Sequence, residues 1–83
     1  MPEQEMMIAS YQYIRFEQVH STGKTTVWNC RDSGSGRLGV VKWYGPWRSY
    51  CYFVSSEAVY SAGCLADIQH FIGRLMKERE EGR

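Results

Sequence analysis

Residues 61–76 read SAGCLADIQHFIGRLM. Apolar side chains recur here three and four positions apart, a spacing that predicts an amphipathic helix. Ser61 stands just before the run, where its hydroxyl can cap the first helical turn. A helix with one apolar stripe needs a second layer to cover that stripe. The members of the stripe are Leu65, Ile68, Phe71, Ile72, Leu75 and Met76.

Upstream of this helix, segments rich in aromatic and β-branched residues alternate with short turn-forming segments, as in an antiparallel meander. Trp28 and Cys30 should share one face of the second strand, and Val41 and Trp43 one face of the third. The sequence predicts an α+β fold, with about four antiparallel strands and the C-terminal helix on one face of the sheet. The other face stays open to solvent or to a partner. The predicted strands are residues 11–20, 25–31, 38–44 and 48–54.

Length and charge limit the class of protein. The chain has 83 residues and a net charge of +1, which predicts one domain and lacks the strongly basic balance typical of nucleic-acid binding. We assign residues 11–83 to that domain and residues 1–10 to an N-terminal tail or lead-in. No apolar run approaches the roughly 20 residues that span a bilayer, and MPEQE lacks the features of a signal peptide. We therefore expect no membrane contact and a cytoplasmic location.

Two stretches resemble phosphate-binding loops. STGKTT (residues 21–26) ends like a P-loop, but Gln18 occupies the first glycine position and the following residues favour a strand, not a helix. GSGRLG (residues 34–39) has dinucleotide-loop spacing but is flanked by strands on both sides. We interpret the first as a hairpin turn with Gly23 at positive φ, and the second as a turn with Gly39 at a bulge or close packing contact.

No catalytic, cofactor or metal site emerges from the pattern. Cys64 and His70 are six positions apart, so they do not stack on one helix face. The three cysteines, with His20 or His70, match no zinc-ligand spacing, and their odd number argues against a disulfide scaffold. We predict that the protein is not an enzyme and uses no cofactor.

Residues 42–50, KWYGPWRSY, join aromatic rings and cations around one tight turn. Such a set suits protein contacts, where Trp, Tyr and Arg dominate the binding energy, or stacking on single-stranded nucleic acid. We assign Trp43 to the core and leave core and contact roles both open for Trp47 and Arg48. The predicted partner-binding residues are Lys42, Tyr44, Trp47, Arg48 and Tyr50.

Tyrosines indicate a second surface. Tyr11 and Tyr13 alternate with Ile14 and Phe16, and a similar alternation occurs in the fourth strand. If the helix covers Ile14 and Phe16, these tyrosines should face outward, where they suit recognition of a partner. The tyrosines concerned are Tyr11, Tyr13, Tyr50 and Tyr52.

The stretches LGVVKWYGPWRSYCYFV (38–54) and AVYSAGCLADIQHFIGRL (58–75) resemble a group of small proteins from phages, prophages and other bacterial mobile elements. KTTVW (24–28) fits the same group, whereas VSSEAVY (54–60) departs from it where relatives tend to carry a proline. The resemblance implies a phage protein in the cytoplasm of a bacterial host, and it implies no biochemical activity. The matching positions are Leu38, Gly39, Val41, Lys42, Trp43, Tyr44, Trp47, Arg48, Tyr50, Cys51, Cys64, Leu65 and Ile68.

Three hypotheses follow. The first is a non-enzymatic phage protein that binds a host protein stoichiometrically, by analogy with anti-CRISPR inhibitors of a CRISPR effector or another defence nuclease. The second is a single-stranded nucleic-acid-binding module, whose affinity would fall steeply with salt. The third is a self-associating structural module, in which sheet edges pair across a homodimer.

Overall fold

The structure, a computed structural model, describes residues 7–34 and 36–81. It contains a five-stranded sheet, a single-turn 3₁₀ helix at Gly45–Trp47 between the last two strands, and one long C-terminal helix. The strands follow one another in space as they do along the chain, and every neighbouring pair is antiparallel. The elements are β1 (Ile8–Ser10), β2 (Ile14–Ser21), β3 (Thr26–Asp32), β4 (Arg37–Tyr44), β5 (Ser49–Val54) and α1 (Ala62–Glu81).

The predicted α+β architecture is confirmed, with one strand more than expected. The additional strand, β1, comes from residues assigned to the lead-in, and its Ala9 lies opposite Phe16 and packs against the core. Residues 1–6 of the lead-in lie outside the described residues. The strand after β1 begins at Ile14 instead of Tyr11, because the Tyr11 N–H donates to the Ile14 carbonyl at 2.8 Å and closes a turn.

The core lies between the sheet and α1. The ring of Phe71 stacks on Phe16, with centroids 4.1 Å apart, and meets Trp28 edge-on at 5.0 Å. Cys30 and Val41 are fully buried beside them. This arrangement confirms that Trp28 and Cys30 share a face, and that the helical stripe covers the sheet.

One member of the predicted stripe does not reach the core. Leu65 is 54% exposed, whereas Ile68, Phe71 and Leu75 are buried. Cys64, one position earlier, is the half-buried residue that packs against the core in the first turn. The stripe therefore lies to one side of Leu65 on the helix surface. The predicted cap is present, since the Cys64 N–H donates to Ser61 Oγ at 3.1 Å.

Both glycine-rich stretches form turns between strands, as predicted. Gly23 has φ +92° in the turn that joins β2 to β3, and a strand follows it where a P-loop would require a helix. Gly39 lies opposite Cys30 beside a register shift. A Cβ at Gly39 would lie 2.6 Å from the Phe53 carbonyl oxygen, so the backbones approach too closely for a side chain.

The side chains of β5 face the opposite way to our expectation. Tyr50 is 5% exposed and Tyr52 packs against the core, so neither faces outward. The register explains this, because Tyr50 pairs with Trp43 and Tyr52 with Val41, and paired residues lie on the same face. The Tyr50 hydroxyl accepts a hydrogen bond from the Thr26 N–H at 3.0 Å. Tyr50 is thus a core residue and not a surface contact.

The N-terminal tyrosines also diverge from the predicted surface. Tyr11 packs edge-on against Phe16 at 5.8 Å, and its hydroxyl hydrogen-bonds His70 Nδ1 of α1 at 2.9 Å. Tyr13 is 55% exposed but lies in the turn before β2. No outward tyrosine strip therefore forms on the sheet.

Candidate binding surface on the open face of the sheet

The face of the sheet opposite α1 carries no second layer among the described residues. We call this surface the open face. Its members alternate along each strand with the buried residues and lie opposite one another across strands. They are Ile8, Ser10, Arg15, Glu17, His20, Val27, Asn29, Arg31, Arg37, Val40, Lys42, Tyr44, Ser49, Cys51 and Phe53.

An aromatic cluster occupies the β4–β5 side of the open face. Tyr44 contacts two rings edge-on, Trp47 at 5.3 Å and Phe53 at 5.9 Å between centroids. The Lys42 ammonium lies 4.7 Å from the centroid of the Phe53 ring, within the range of a cation–π interaction. We call these four residues, Lys42, Tyr44, Trp47 and Phe53, the aromatic cluster.

Trp47 is the most exposed ring of this cluster, at 73%. It ends the 3₁₀ turn, in which Pro46 fixes one backbone dihedral and the Arg48 N–H donates to the Gly45 carbonyl at 3.0 Å. Arg48 leaves the turn in the left-handed region, with φ 52°. The 3₁₀ turn thus fixes the backbone at Trp47, and the Tyr44 ring contacts the exposed indole on one side.

A row of three arginines crosses the opposite end of the open face. Arg15 lies directly opposite Arg31, and Arg31 directly opposite Arg37. Like charges in this relation destabilise a sheet unless an anion lies between them. Glu17 supplies that anion, accepting hydrogen bonds from Arg15 at 2.7 Å and from Arg31 at 3.1 Å. The hydrogen bond from Arg15 is the main cause that lowers the pKa of the Glu17 carboxyl, and the hydrogen bond from Arg31 lowers it further.

Charge on the open face is unbalanced. Arg15, Arg31, Arg37 and Lys42 are cationic, and Glu17 is the one acidic side chain of the face as defined above. Arg37 is exposed at the start of β4. The face therefore presents a cationic surface beside an aromatic one, although the whole chain has a net charge of only +1.

The structure separates the five predicted contact residues into three groups. Lys42, Tyr44 and Trp47 come together in the aromatic cluster. Arg48 is exposed but lines a cleft between the turns and the end of α1. Tyr50 is buried and cannot contact a partner directly.

Sequence reasoning missed Phe53, because the alternation in β5 was assigned to the wrong face. Because Tyr50 and Tyr52 face the core, the alternating residues Cys51 and Phe53 lie on the open face. The available signal was the alternation itself, which places Cys51 and Phe53 together on one face of β5. The pairing of Phe53 with Val40 became visible only in the structure.

Lys24 and Trp43 also line the cleft beside Arg48. Arg79 of α1 stacks its guanidinium 4.1 Å from the Trp43 ring and donates to the Lys24 carbonyl at 3.2 Å. Trp43 packs against the core, as predicted. Lys24 is an exposed cation in the β2–β3 turn, and the hydrogen bond from Arg79 connects this turn to α1.

Metal ligation and chemistry at the Cys30 thiol find no support in the described residues. Among residues 7–34 and 36–81, no three His, Cys, Asp or Glu side chains lie close enough to share a metal ion. Burial raises the pKa of the Cys30 thiol to about 11, which keeps it protonated and poorly nucleophilic at neutral pH. Within the same residues no helix is both long and apolar enough to cross a membrane. The absence of enzyme activity stays a prediction.

Comparison with known proteins relates the chain to a bacteriophage protein. Over 78 residues it is 36% identical to the "Uncharacterized 9.3 kDa protein" of Acholeplasma phage L2, and the match covers 92% of this chain and 100% of the relative. The chain belongs to the family of this phage protein. No family model and no solved structure matches this chain. The expectation of a small phage protein is thus confirmed, and its activity must be inferred from the open face.

Proposed function

We propose that this phage-family protein acts by stoichiometric binding to a host protein, and that the aromatic cluster is its main contact. The observation that carries the proposal is Trp47, an indole 73% exposed yet held by a 3₁₀ turn and by Tyr44. Tryptophan, tyrosine and arginine carry most of the energy at protein interfaces. A ring that is already fixed loses little conformational entropy when a partner covers it.

The charge around the cluster indicates the kind of target surface. Lys42 lies within the cluster and the arginine row lies along the same face, so the complementary partner surface should be acidic with an apolar pocket for Trp47. An anti-CRISPR or other anti-defence inhibitor, directed at a CRISPR effector or another defence nuclease, is the class of phage protein that we propose by analogy. On this proposal the protein covers an acidic surface of its target and does not mimic nucleic acid.

Affinity capture with matched variants tests the proposal. The wild-type protein, Trp47→Ala and Val59→Ala would each be immobilised and exposed to nuclease-treated lysate of the host bacterium. Val59 is 84% exposed outside the open face, so its truncation controls for the loss of an exposed apolar side chain. We expect wild type and Val59→Ala to retain the same host protein, and Trp47→Ala to lose it.

Titration calorimetry with the purified host protein then measures stoichiometry and affinity. Truncating a hot-spot tryptophan costs about 2 kcal/mol or more, which weakens binding at least about 30-fold. Retention of no host protein by the wild type, or equal affinity of Trp47→Ala and wild type, would contradict the proposal.

A second candidate function is binding of single-stranded nucleic acid, which the arginine row favours. Arg15, Arg31 and Arg37 lie opposite one another on neighbouring strands, so three cationic residues cross the open face in one row, two of them also bonded to Glu17. Neighbouring strands are about 4.8 Å apart, which allows one extended backbone to contact all three cations. Tyr44 and Phe53 then offer rings for stacking of unpaired bases.

Titration of labelled single-stranded DNA and RNA at low and moderate salt tests this second candidate. We expect binding that weakens steeply as salt increases, because released counterions contribute to the affinity. The matched control is the duplex of the same sequence, whose stacked bases cannot reach the rings. Absence of any shift at low salt would remove this candidate and leave the host-protein proposal untouched.

A further inference from the structure

The outer edge of β5 has the features of a strand that pairs with another strand. We infer that β5 pairs antiparallel with β5 of a second copy of the chain, about a two-fold axis perpendicular to the sheet. The two five-stranded sheets would then become one continuous sheet. This inference goes beyond the proposed function, and it rests on the backbone of β5 and on residues at the ends of this strand, not on a contact made by Trp47.

Two hydrogen bonds show which backbone groups of β5 point outward. The Ser55 N–H donates to the Leu38 carbonyl at 3.0 Å, so Ser55 points toward β4. The Tyr50 N–H points the other way, to the sulfur of Met76 in α1 at 3.4 Å. Since backbone groups alternate along a strand, those of Tyr50, Tyr52 and Val54 all point away from β4. A thioether is a weak acceptor, so pairing with a second strand would exchange the Met76 contact for a stronger hydrogen bond to a carbonyl.

Apart from the Met76 contact at Tyr50, the outer edge lacks the devices that keep monomeric sheets from pairing. Natural edge strands are usually very short, carry charges, proline or a bulge, or are covered by a helix or loop. The other edge strand, β1, is only three residues long. In contrast β5 reads SYCYFV, six residues without charge, proline or glycine, and its register with β4 runs without a shift. The exposed fraction of Val54 at this edge is 67%.

Two copies of β5 are self-complementary in one register. When Tyr52 lies opposite Tyr52 of the second copy, Tyr50 lies opposite Val54 of that copy, so all three outward-pointing residues pair. The same register places Cys51 opposite Phe53 of the second copy on the open face. A two-fold axis perpendicular to the sheet keeps the helices of both copies on one side and both open faces on the other.

Charge at the two ends of β5 favours a second copy over an unrelated strand. Arg48 immediately precedes β5 and Glu57 follows it by three positions, and both are exposed. Antiparallel pairing centred on Tyr52 brings Arg48 to the end of β5 of the second copy, where a turn closed by the Ala58 N–H and the Ser55 carbonyl carries Glu57. Opposite charges therefore meet at both ends of the paired strands, which selects the antiparallel direction.

The dimer would also change the open face. The aromatic clusters of the two copies would lie on the same side of one continuous sheet, near the two-fold axis. A host target with two equivalent sites would then contact both clusters at once. The pairing itself does not require such a target.

Light scattering after size-exclusion chromatography, under reducing conditions, measures the mass of the wild type, Val54→Lys and Val59→Lys. We expect the wild type and Val59→Lys to have twice the chain mass of 9.7 kDa at micromolar concentration, and Val54→Lys to have the single mass. The two variants make the same change at exposed valines, but only Val54 lies on the edge. Circular dichroism of Val54→Lys should match that of the wild type, which shows that the monomer is folded.

A second variant, which adds no charge, separates the loss of edge pairing from repulsion between the new lysines. Val54→Pro removes an outward-pointing N–H without touching the bonds to β4, and it should also be monomeric. A wild-type mass of 9.7 kDa at high concentration would overturn the inference, as would a dimeric Val54→Pro. Trp47→Ala should remain dimeric, so failure of the dimer and failure of the proposed host contact are distinguishable.

Discussion

At the scale of single residues, close backbone contact explains more of this protein than chemistry does. Gly39 lies on β4 close to the backbone of Phe53 in β5, beside the shift in register between β3 and β4. In the sequence, GSGRLG (34–39) matches a dinucleotide-binding loop only in the spacing of its glycines. The absence of a side chain serves strand packing and not phosphate binding.

Gly39→Ala should destabilise the protein strongly. The new Cβ would lie 2.6 Å from the Phe53 carbonyl oxygen and equally close to the Tyr52 ring, and the backbone oxygen cannot move without disturbing the sheet. We expect a loss of about 2–3 kcal/mol in the free energy of unfolding, measured by urea denaturation. Gly45→Ala is the control, because a Cβ there meets nothing within 4 Å. Equal stability of the two variants would show that the sheet adjusts freely at Gly39.

At the scale of elements, α1 was the most predictable part of the chain, whereas β1 was not predicted and the two faces of β5 were exchanged. Ile68, Phe71 and Leu75 are buried where the helical period placed them. The alternation in β5 was also read correctly, but its inward and outward sets were exchanged. A period of two does not say which set is buried, whereas a long apolar stripe on a helix can only face the core.

Ser61→Ala tests the start of α1. The variant removes the hydroxyl that accepts the Cys64 N–H at 3.1 Å, and leaves this donor to water. We expect a loss of about 1 kcal/mol in the free energy of unfolding by urea denaturation. Ser56→Ala, in the exposed turn after β5, should leave stability unchanged. If both variants behaved like the wild type, Ser61 would not be the effective cap.

At the scale of the whole molecule, one thin layer of aromatic and aliphatic side chains joins the sheet to α1. Phe16, Phe71, Val41 and Cys30 are its most deeply buried members. Because a small domain buries limited apolar area, its stability is sensitive to any charge formed within this layer. The Cys30 thiol lies in this layer and becomes charged when it loses its proton.

The free energy of unfolding should fall at alkaline pH through Cys30. Burial raises the pKa of this thiol from 9.0 to about 11, so thiolate formation favours the unfolded chain. The contribution is fully present below about pH 9 and is lost progressively toward pH 11, by up to about 1.4 kcal/mol per pH unit. Urea denaturation of wild type and Cys30→Ala measures it.

The Cys30→Ala comparison isolates this effect from other titrating groups. Burial and the hydrogen bond with Tyr60 also raise the pKa of the Tyr52 hydroxyl, and these two causes, which are larger than the contribution of Cys30, are present in both proteins. We expect the advantage of the wild type over Cys30→Ala to shrink between pH 9 and pH 11. A constant difference across this range would contradict burial of the neutral thiol.

The sequence by itself determined the helix, its cap, the alternating strands and the glycine turns, because local spacing and backbone freedom control these features. It also contained Lys42, Tyr44 and Trp47, which are close in the chain. Tertiary structure alone decided that Tyr50 is buried, that Phe53 joins the cluster and that three arginines align across β2, β3 and β4. These depend on strand register, since pairing between distant segments sets which residues are neighbours and which face they occupy.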